Sequence, residues 1–559
     1  MYLRRTQRKR ADGSTVGYLQ LAHNERVGGA VQAKVLVNLG REDLLDVDAL
    51  RRLAASITRY AGEDGALEGV GEGFTVTQSR AMGGVWLLDG LWRQLGIAEA
   101  LAGVVGARRF STDVERVLFA LVANRCLEPA SKLAAAEWAS RDVHVAGLEA
   151  MDDDHAYRAM DLLVDADAQA KVQEAVFFAT ADLLNLEVDL LFFDTTSTYF
   201  ERDTPDAASE EGGPAFRAYG HSKDSRPDLP QVIIGLAVTR EGIPVRVWVW
   251  PGNTNDMSVV KEVKDGLRDW RLGRVVTVVD RGFSSEENLR YLTRAGGHWI
   301  AGERMRNASA KAQEALSRPG RYATVRDNLR VKEVLVGDGD APRRYVVCHN
   351  PVEAERDKLL RDVTITRLEH ELDQIRTARA KANSAKENEA HHRAECALRD
   401  HPSLGRFLRQ TATGRLLIDR AKVKAEERLD GKYLLSTSDP DLSAEDVALG
   451  YKNLLEAERG FRDMKSTLEL RPVFHRLEHR IRAHVLICWL ALLLIRIAER
   501  QSGHTWRRVA LELQRLHLVT LTGPDGTVQQ TTAPTPLAAQ ILGATKVKAP
   551  PQIAAITPA

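Results

Sequence analysis

The sequence predicts an α/β protein in which a mainly helical N-terminal region precedes a core built on a mixed β-sheet. Two patterns predict this class. Residues 75–180 carry apolar side chains at helical spacing, with capping residues before several of the segments. From residue 188 onward, short β-prone runs alternate with helical patterns, as in sheets whose strands are connected by helices.

Composition places the chain among ordinary globular proteins. It has 559 residues, 44% hydrophobic and 28% charged, which suffices for several domains and excludes a disordered chain or a collagen. Four cysteines without a CxxC pair argue against a disulfide framework or a zinc ribbon and fit a reducing compartment. The longest apolar run, at 485–495, is shorter than the roughly 20 residues of a membrane span. We therefore expect a buried helix there and no contact with a membrane.

The charge of the chain is nearly balanced. There are 78 Lys and Arg residues against 77 Asp and Glu residues, so the formal net charge is +1. This balance alone does not identify a nucleic-acid-binding protein. The distribution is uneven, however, because residues 1–10 carry five basic side chains and no acidic one.

Changes of pattern along the chain predict six parts. A helical region of the size found at 61–180 either binds DNA or forms only a structural core. The expected parts are a small N-terminal α+β unit at 1–60, a mainly helical region at 61–180 that binds DNA, the first part of the core at 181–300, an inserted α+β subdomain with a long charged helix at 301–430, the second part of the core at 431–500, and a C-terminal extension at 501–559. In this extension a short helix and a hairpin at 523–526 are expected before a loose tail.

Four predicted strands give the topology of the core. They cover residues 188–199, 231–240, 243–250 and 274–280, and a helical pattern at 257–270 precedes the last of them. Three antiparallel strands, a crossover helix and a buried strand follow in this order in the ribonuclease-H-like fold, where the first and fourth strands are neighbours. We therefore predict a ribonuclease-H-like catalytic core.

Two aspartates lie near the ends of neighbouring strands in this fold. Asp194 belongs to the first predicted strand, and Asp280 ends the fourth. Their carboxylates are then close enough to share a metal ion.

A predicted helix at 449–470 carries three further polar side chains. Tyr451, Glu458 and Lys465 are spaced seven residues apart, so they lie on nearly one face of a continuous helix. Arg462 follows Glu458 by four residues, and the simplest reading of that pair is a surface ion pair. In a ribonuclease-H-like core, however, this helix faces the strand ends that carry the two aspartates.

Together these residue types indicate phosphodiester chemistry. Three converging carboxylates, Asp194, Asp280 and Glu458, repel each other unless cations lie between them. Two Mg²⁺ or Mn²⁺ ions bind such oxygen ligands and support in-line phosphoryl displacement. The Lys465 ammonium and the Tyr451 hydroxyl suit contacts with a DNA backbone.

Several segments of the chain resemble those of DDE transposases of bacterial insertion sequences, the insertion-sequence-four superfamily. Tyr451, Leu454, Glu458 and Lys465 have the spacing of that family's Y-R-E-K motif. The family's Arg falls on Leu454; either Arg459 or Arg462 replaces it from the next turn, or the contact is absent. Four further stretches resemble family segments: FFDTTSTYFE at 192–201 and VVDRGF at 278–283, which resemble the first-Asp and second-Asp strands, and YGHSKD at 219–224 and WPGNTND at 250–256 between them.

The resemblance implies a specific activity and set of partners. Asp194, Asp280 and Glu458 correspond to the catalytic, metal-binding triad, and two divalent ions, Mg²⁺ or Mn²⁺, are the implied cofactors. The implied activity is cut-and-paste transposition, in which strand cleavage at inverted-repeat ends is followed by a hairpin intermediate and strand transfer into target DNA. Double-stranded DNA is the implied partner, bound by a homodimer in the bacterial cytoplasm at the nucleoid.

Some assignments stay open at this stage. Lys223 lies in a polar loop that either contacts DNA or is merely solvated, and we include it among the candidate DNA-binding residues with Tyr451, Arg462 and Lys465. Another ribonuclease-H-like, metal-dependent DNA endonuclease has the same residue pattern. A catalytically inactive DNA-binding derivative of a transposase is a further alternative.

Overall fold

The computed structural model describes most of the chain. The residues outside the described part are 1, 10–14, 28–29, 43–44, 46–49, 51–73, 106–112, 165–167, 185–188, 208–214, 269, 271–274, 338–341, 382–383 and 525. The helix that the sequence predicts at 42–60 lies almost wholly outside the described residues.

The chain forms two compact units. Unit 1 comprises Met1–Glu187, Thr195–Asn253 and Glu458–Ala559, and unit 2 comprises Val188–Asp194 and Thr254–Ala457. Each unit is therefore assembled from segments that lie far apart in the sequence.

The N-terminal part of unit 1 begins with strands and continues with helices. Strands β1 (Tyr2–Lys9), β2 (Thr15–Val27) and β3 (Ala30–Arg41) form an antiparallel sheet, and β4 (Thr75–Ala81) follows. The helices are α1 (Gly83–Gln94), α2 (Ile97–Val105), α3 (Val114–Leu127), α4 (Lys132–Arg141), α5 (Asp153–Val164) and α6 (Ala168–Leu184). The helical pattern predicted for this region is confirmed, apart from β4.

The next three strands match the sequence prediction closely. They are β5 (Leu190–Tyr199), β6 (Gln231–Thr239) and β7 (Pro244–Pro251). β6 and β7 pair antiparallel in unit 1 around a tight turn, in which Gly242 has a φ of +75°. Glycine tolerates this left-handed backbone without strain, which explains the turn.

Unit 2 is built around a mixed sheet. Its elements are α7 (Asp256–Arg268), β8 (Val276–Val279), α8 (Glu286–Thr293), β9 (His298–Glu303), α9 (Ala310–Ser317), β10 (Ala323–Arg326), β11 (Leu329–Val336), β12 (Arg343–His349), α10 (Pro351–Lys381), α11 (Ala385–Arg399), β13 (Leu408–Gln410), β14 (Leu416–Ile418), α12 (Arg420–Glu427), β15 (Lys432–Thr437) and α13 (Ala444–Lys452). The strand order in this unit is β10-β11-β12-β15-β9-β8-β5. β5 pairs parallel with β8 and β8 with β9, whereas the other pairs are antiparallel. The predicted mixed α/β class and the predicted neighbourhood of the first and fourth core strands are confirmed.

The segment expected to be an insertion divides into two parts. Its strands β10, β11 and β12 extend the sheet just described. The long charged segment forms α10 and α11, which pack against each other. They help to enclose a separate small core that includes Leu368, Leu372 and Phe407.

The remaining elements complete unit 1. They are α14 (Leu455–Ser466), α15 (Glu478–Ser502), α16 (Trp506–Leu513), β16 (His517–Gly523), β17 (Gly526–Thr531), α17 (Pro536–Ala544) and β18 (Ile553–Pro558). The predicted hairpin at 523–526 is confirmed, because β16 and β17 pair antiparallel there. The expectation of a loose tail after it is wrong, because α17 and β18 follow and β18 joins a sheet in the order β18-β17-β16-β4. Apolar burial holds this segment in place: Leu516 and Leu518 pack with Met82 in a core cluster.

Helix α15 is the central core element of unit 1. It packs against α3, α5 and β7. By length and composition it could cross a membrane, but 94% of its apolar window is buried inside the protein. A core helix of a globular unit has the same composition, so the predicted buried helix is confirmed.

One prediction about the core is corrected. The sequence predicts a single helix at 449–470, but the chain forms α13 and α14, separated at Asn453 and Leu454. The amide of Asn453 bonds to the carbonyl of Gly450, and that of Leu454 to Tyr451, at 3.0 Å each. These i→i−3 bonds tighten the turn and change the helical phase. Tyr451 therefore lies on α13, whereas Glu458 and Lys465 lie on α14.

Candidate active site

Two aspartates lie in unit 2 at the point where the parallel pairing of β5 and β8 ends. The register pairs Phe193 of β5 with Val279 of β8, so Asp194 and Asp280 are the next residues of the two strands. The strand residues before them are buried, whereas both aspartates are partly exposed. Two buried apolar segments thus place two carboxylates at neighbouring positions of the sheet, as the sequence predicts.

Tyr451 of α13 contacts this pair. Its hydroxyl donates a hydrogen bond to Oδ1 of Asp280 at 2.7 Å. Burial raises the pKa of Tyr451, and the negative charges of Asp280 and Asp194 raise it further. The phenol therefore stays protonated and acts as a donor to the carboxylate. The Tyr433 ring stacks beside it, with centroids 6.2 Å apart.

A glycine makes room for the tyrosine. A Cβ atom at Gly302 of β9 would lie 2.3 Å from the Tyr451 hydroxyl oxygen. No side chain other than hydrogen fits at this position unless Tyr451 moves. Gly302 is thus part of the arrangement that holds Asp280, and no sequence motif indicated it.

Lys465 of α14 lies in an ion-pair cluster within unit 1. Its ammonium donates to Oγ1 of Thr196 at 2.7 Å and to Oδ1 of Asp224 at 2.8 Å. Arg471 contacts the other oxygen of Asp224 at 3.1 Å. Burial lowers the pKa of Lys465, and Asp224 opposes this effect. The lysine is therefore held as a cation whose position depends on Asp224.

Lys223 is tied to the part of β5 that follows Asp194. Its ammonium donates to the carbonyl oxygen of Thr195 at 2.8 Å and to the Thr195 hydroxyl at 2.5 Å. Its backbone amide donates to Oγ of Ser197 at 2.9 Å. The loop that carries Lys223 is thus ordered against this strand rather than freely solvated.

Glu458 and Arg462 are both exposed on α14. Among the described residues, no hydrogen bond or ion pair joins them, so the simple surface pair considered from the sequence does not form. Lys465 keeps its spacing of two helical turns from Glu458 because both lie on α14. Leu454, at the position of the family's Arg, is buried and has a structural role.

The residues suit hard divalent cations by their chemistry. Asp194 and Asp280 offer carboxylate oxygens from adjacent strands, which is the donor type that Mg²⁺ and Mn²⁺ prefer. Within the described residues, no group of three or more His, Cys, Asp or Glu side chains is gathered as in a complete metal site. The two aspartates thus suit a divalent ion by their chemistry, but they supply two ligands and not a complete coordination sphere.

Sequence reasoning missed three residues of this region: Asp224, Arg471 and Gly302. Asp224 directly follows the singled-out Lys223, and an acidic partner is expected where a lysine becomes buried. Arg471 directly follows the helix predicted at 449–470, and no sequence pattern singled it out.

Comparisons with known proteins identify the class. A family model described as the transposase DDE domain matches residues 189–494, which is more than half of the 559-residue chain. A second model, the N-terminal domain of IS1634 family transposases, matches residues 3–68. A solved structure titled as the cryo-EM structure of the piggyBac transposase synaptic complex with hairpin DNA has 11% identity and a TM-score of 0.34, covering 77% of this chain and 78% of that chain. No curated protein matches the chain.

The chain belongs to the DDE transposase family. It is a DNA transposase of an IS1634-type insertion sequence, because the family models match both its N-terminal region and its core. The resemblance stated from the sequence motifs is confirmed.

Proposed function

We propose that this transposase moves its own insertion sequence by a cut-and-paste reaction at the inverted-repeat ends. One observation carries the proposal. Asp194 and Asp280, both within the matched DDE domain, directly follow the last paired residues, Phe193 and Val279, of the parallel segments of β5 and β8. Two carboxylates in this arrangement support metal-dependent phosphodiester chemistry.

The triad would hold the metal ions. Asp194 and Asp280 from the sheet and Glu458 from α14 are the proposed ligands of two Mg²⁺ or Mn²⁺ ions. When bound, such ions activate the attacking oxygen and stabilise the leaving oxygen of an in-line displacement. The hydrogen bond from Tyr451 to Asp280 supports a positioning role, because it fixes one carboxylate oxygen.

Basic residues of unit 1 would bind the DNA backbone. Arg462 is exposed on the same helix as Glu458 and is suited to a phosphate contact. Lys465 is mostly buried and ion-paired with Asp224, so a phosphate must share it with that carboxylate. Lys223 is held by β5 and has the same proposed role. Tyr451 was expected to contact the DNA backbone; its bond to Asp280 supports positioning of that carboxylate as its main task.

We propose the remaining steps from the resemblance to the family. The freed 3′-hydroxyl attacks the opposite strand, which forms a hairpin and releases the flanking DNA. Water then opens the hairpin, and the regenerated 3′-hydroxyl attacks target DNA. The helical region at 61–180 recognises the end sequence, and a homodimer brings two ends together. We place the protein in the bacterial cytoplasm at the nucleoid, where it meets its DNA.

Cleavage of a duplex that carries the inverted repeat of the element tests the proposal. The full chain is incubated with the labelled duplex, target plasmid and Mg²⁺. We expect strand cleavage that exposes a 3′-hydroxyl, followed by a strand-transfer product. Asp194→Asn and Asp280→Asn abolish both products but retain DNA binding, because they remove the ligand charge and keep the side-chain volume.

A matched control distinguishes chemistry from folding. Asp189→Asn makes the same change just before β5, at an exposed position, and is expected to leave cleavage intact. Cleavage that survives either active-site substitution contradicts the proposal. Cleavage without strand transfer identifies a plain endonuclease instead, and binding without cleavage identifies an inactive derivative.

A further inference from the structure

Unit 1 contains a cavity that does not include the proposed metal ligands or DNA-binding residues. Its volume is about 270 Å³, which is roughly nine times the volume that one water occupies in the liquid. It is lined by basic and aromatic side chains. The residues that matter here are Arg125, Ser131, Lys132, Glu469, Phe474 and His475.

Lys132 is a buried cation without a counter-ion. Its side chain lines the cavity, yet the residue is only 4% exposed. No hydrogen bond or ion pair connects its ammonium to another residue in the described part of the chain. Burial lowers the pKa of Lys132 to about 7, and the charge of Arg125 acts in the same direction.

Arg125 adds a second buried charge. It is also 4% exposed. One of its terminal nitrogens donates to the carbonyl oxygens of Leu468 at 3.3 Å and Glu469 at 3.1 Å. Its Nε is buried and has no partner within the described residues. Backbone carbonyls thus orient Arg125 but do not neutralise it.

The surroundings of the two cations are mostly basic. Burial and the charge of Lys132 lower the pKa of His475 to about 3. Glu469 is the acidic residue among those lining the cavity, and it is exposed to solvent. One solvated carboxylate does not offset two buried cations.

An unpaired charge in a protein interior is costly, and two neighbouring like charges cost more. A bound anion removes this cost. The cavity also includes Ser131 and Lys132 at the start of the ten-residue helix α4, where the helix dipole favours negative charge. We infer that the cavity binds one phosphate-type anion, with Lys132 and Arg125 as its cationic ligands.

Two sources supply such an anion: a phosphodiester of the DNA backbone or free phosphate. Phe474 also lines the cavity and is 74% exposed, so an apolar ring is accessible to solvent beside the basic residues. This juxtaposition suits a nucleotide, whose phosphate enters the cavity while its sugar or base covers the ring. The assignment of the anion to a DNA phosphate rests on the proposed function, whereas the inference of an anion site does not depend on it.

Thermal unfolding of the full chain tests the site without DNA and without metal. At pH 6.5, inorganic phosphate is compared with chloride at equal ionic strength. We expect phosphate to raise the melting temperature of the wild type more than chloride, since it binds only the folded state. Lys132→Met loses this difference and melts higher than the wild type in chloride, because the unpaired charge is gone.

The matched control is Lys171→Met, which removes an exposed lysine from α6. It should keep the response to phosphate. The inference is overturned if phosphate acts no better than chloride on the wild type. It is equally overturned if Lys132→Met keeps the response or melts lower than the wild type.

DNA binding by the same variants separates the two sources. If the ligand is a DNA phosphate, Lys132→Met weakens binding roughly tenfold and lowers the slope of log K against log salt by about 1. If the variant loses the phosphate response but binds DNA as the wild type does, the ligand is free phosphate. Thermal unfolding and DNA binding are both measured without strand cleavage, so the result does not depend on whether the enzyme is active.

Discussion

The hydroxyl of Tyr451 holds one of the candidate metal ligands, Asp280, by a hydrogen bond. It donates to Asp280 at 2.7 Å, and Gly302 leaves the space that this approach needs. A carboxylate fixed by a second-layer donor keeps its oxygen in the orientation that a metal requires. Tyr451 and Gly302 are therefore positioning residues for Asp280.

Tyr451→Phe should slow strand cleavage about tenfold, because one hydrogen bond of about 1.4 kcal/mol is lost. The loss should be partly recovered at higher Mg²⁺ or Mn²⁺ concentration, since a poorly oriented ligand binds the ion more weakly. Cleavage rates across a metal titration measure this. Tyr433→Phe is the matched control, because its ring stacks on Tyr451 and the same hydroxyl is removed.

Gly302→Ala examines the same contact from the opposite side. The added methyl group displaces the Tyr451 hydroxyl, so the metal dependence should shift in the same direction. An unchanged metal titration in both Tyr451→Phe and Gly302→Ala would show that the hydrogen bond does not orient Asp280.

Lys132 predicts an unusual dependence of stability on pH. The pKa of its ammonium is about 7 in the folded chain against an ordinary 10.5, so between these values the unfolded chain binds the additional proton. Stability then rises with pH in this window, and the cost of the buried cation is complete below pH 7. Lys132→Met should therefore exceed the wild type in melting temperature most at pH 6 and least at pH 10.

Four other titratable groups interact with Lys132. Arg125 lowers its pKa and Cys488 raises it, and the lysine in turn lowers the pKa of the buried His475 and His484. Burial is the largest cause of the lowered pKa of both histidines, so they stay neutral between pH 6 and pH 10, and the difference between the two melting curves reports the lysine. Lys171→Met, with an exposed lysine removed, should show a difference that does not vary with pH. A constant difference in Lys132→Met would mean that its ammonium is not destabilised by burial.

At the scale of elements, the loop between β5 and β6 is held to α14 by Asp224. The Asp224 side chain is 11% exposed and that of Lys465 is 15% exposed. Asp224→Asn leaves Lys465 and Arg471 without their shared anion. This substitution should lower the free energy of unfolding by about 3 kcal/mol, which is the lower end of the range for breaking a buried ion pair. Chemical denaturation measures this cost. Asp228→Asn, in an exposed pair with Arg226 of the same loop, should leave the denaturation midpoint unchanged.

The strands around the candidate site could be predicted because their pattern is strong. In β5 and β8 an apolar run is followed by a single aspartate, and the order of strands and crossover helix predicts that the two strands are neighbours. The break between α13 and α14 could not be predicted in the same way. Neither Asn453 nor Leu454 is a glycine or proline, and the interruption arises from local i→i−3 bonds and the burial of Leu454.

At the scale of the whole molecule, the hardest feature to predict is which distant segments join. Strand β4 pairs with β16 more than 430 residues later in the chain. The indole of Trp86 on α1 donates to the carbonyl of Lys548 at 2.7 Å. Short, partly polar strands give little local signal, so the sequence predicted a hairpin at 523–526 and a loose tail after it, but not the sheet that β4 and β18 complete.

The C-terminal segment is therefore expected to be part of the folded core of unit 1, and Leu518 tests this. It is 4% exposed on β16 and packs with Met82, which precedes α1. Leu518→Ala should lower the free energy of unfolding by about 2–4 kcal/mol, because the change leaves a cavity. Leu511→Ala removes the same atoms from a residue that is 63% exposed on α16 and should cost less than about 0.5 kcal/mol. Equal, small effects of the two substitutions on chemical denaturation would mean that the last strands do not stabilise unit 1. A large effect at Leu518 alone would mean that the helical N-terminal region and the C-terminal sheet unfold together.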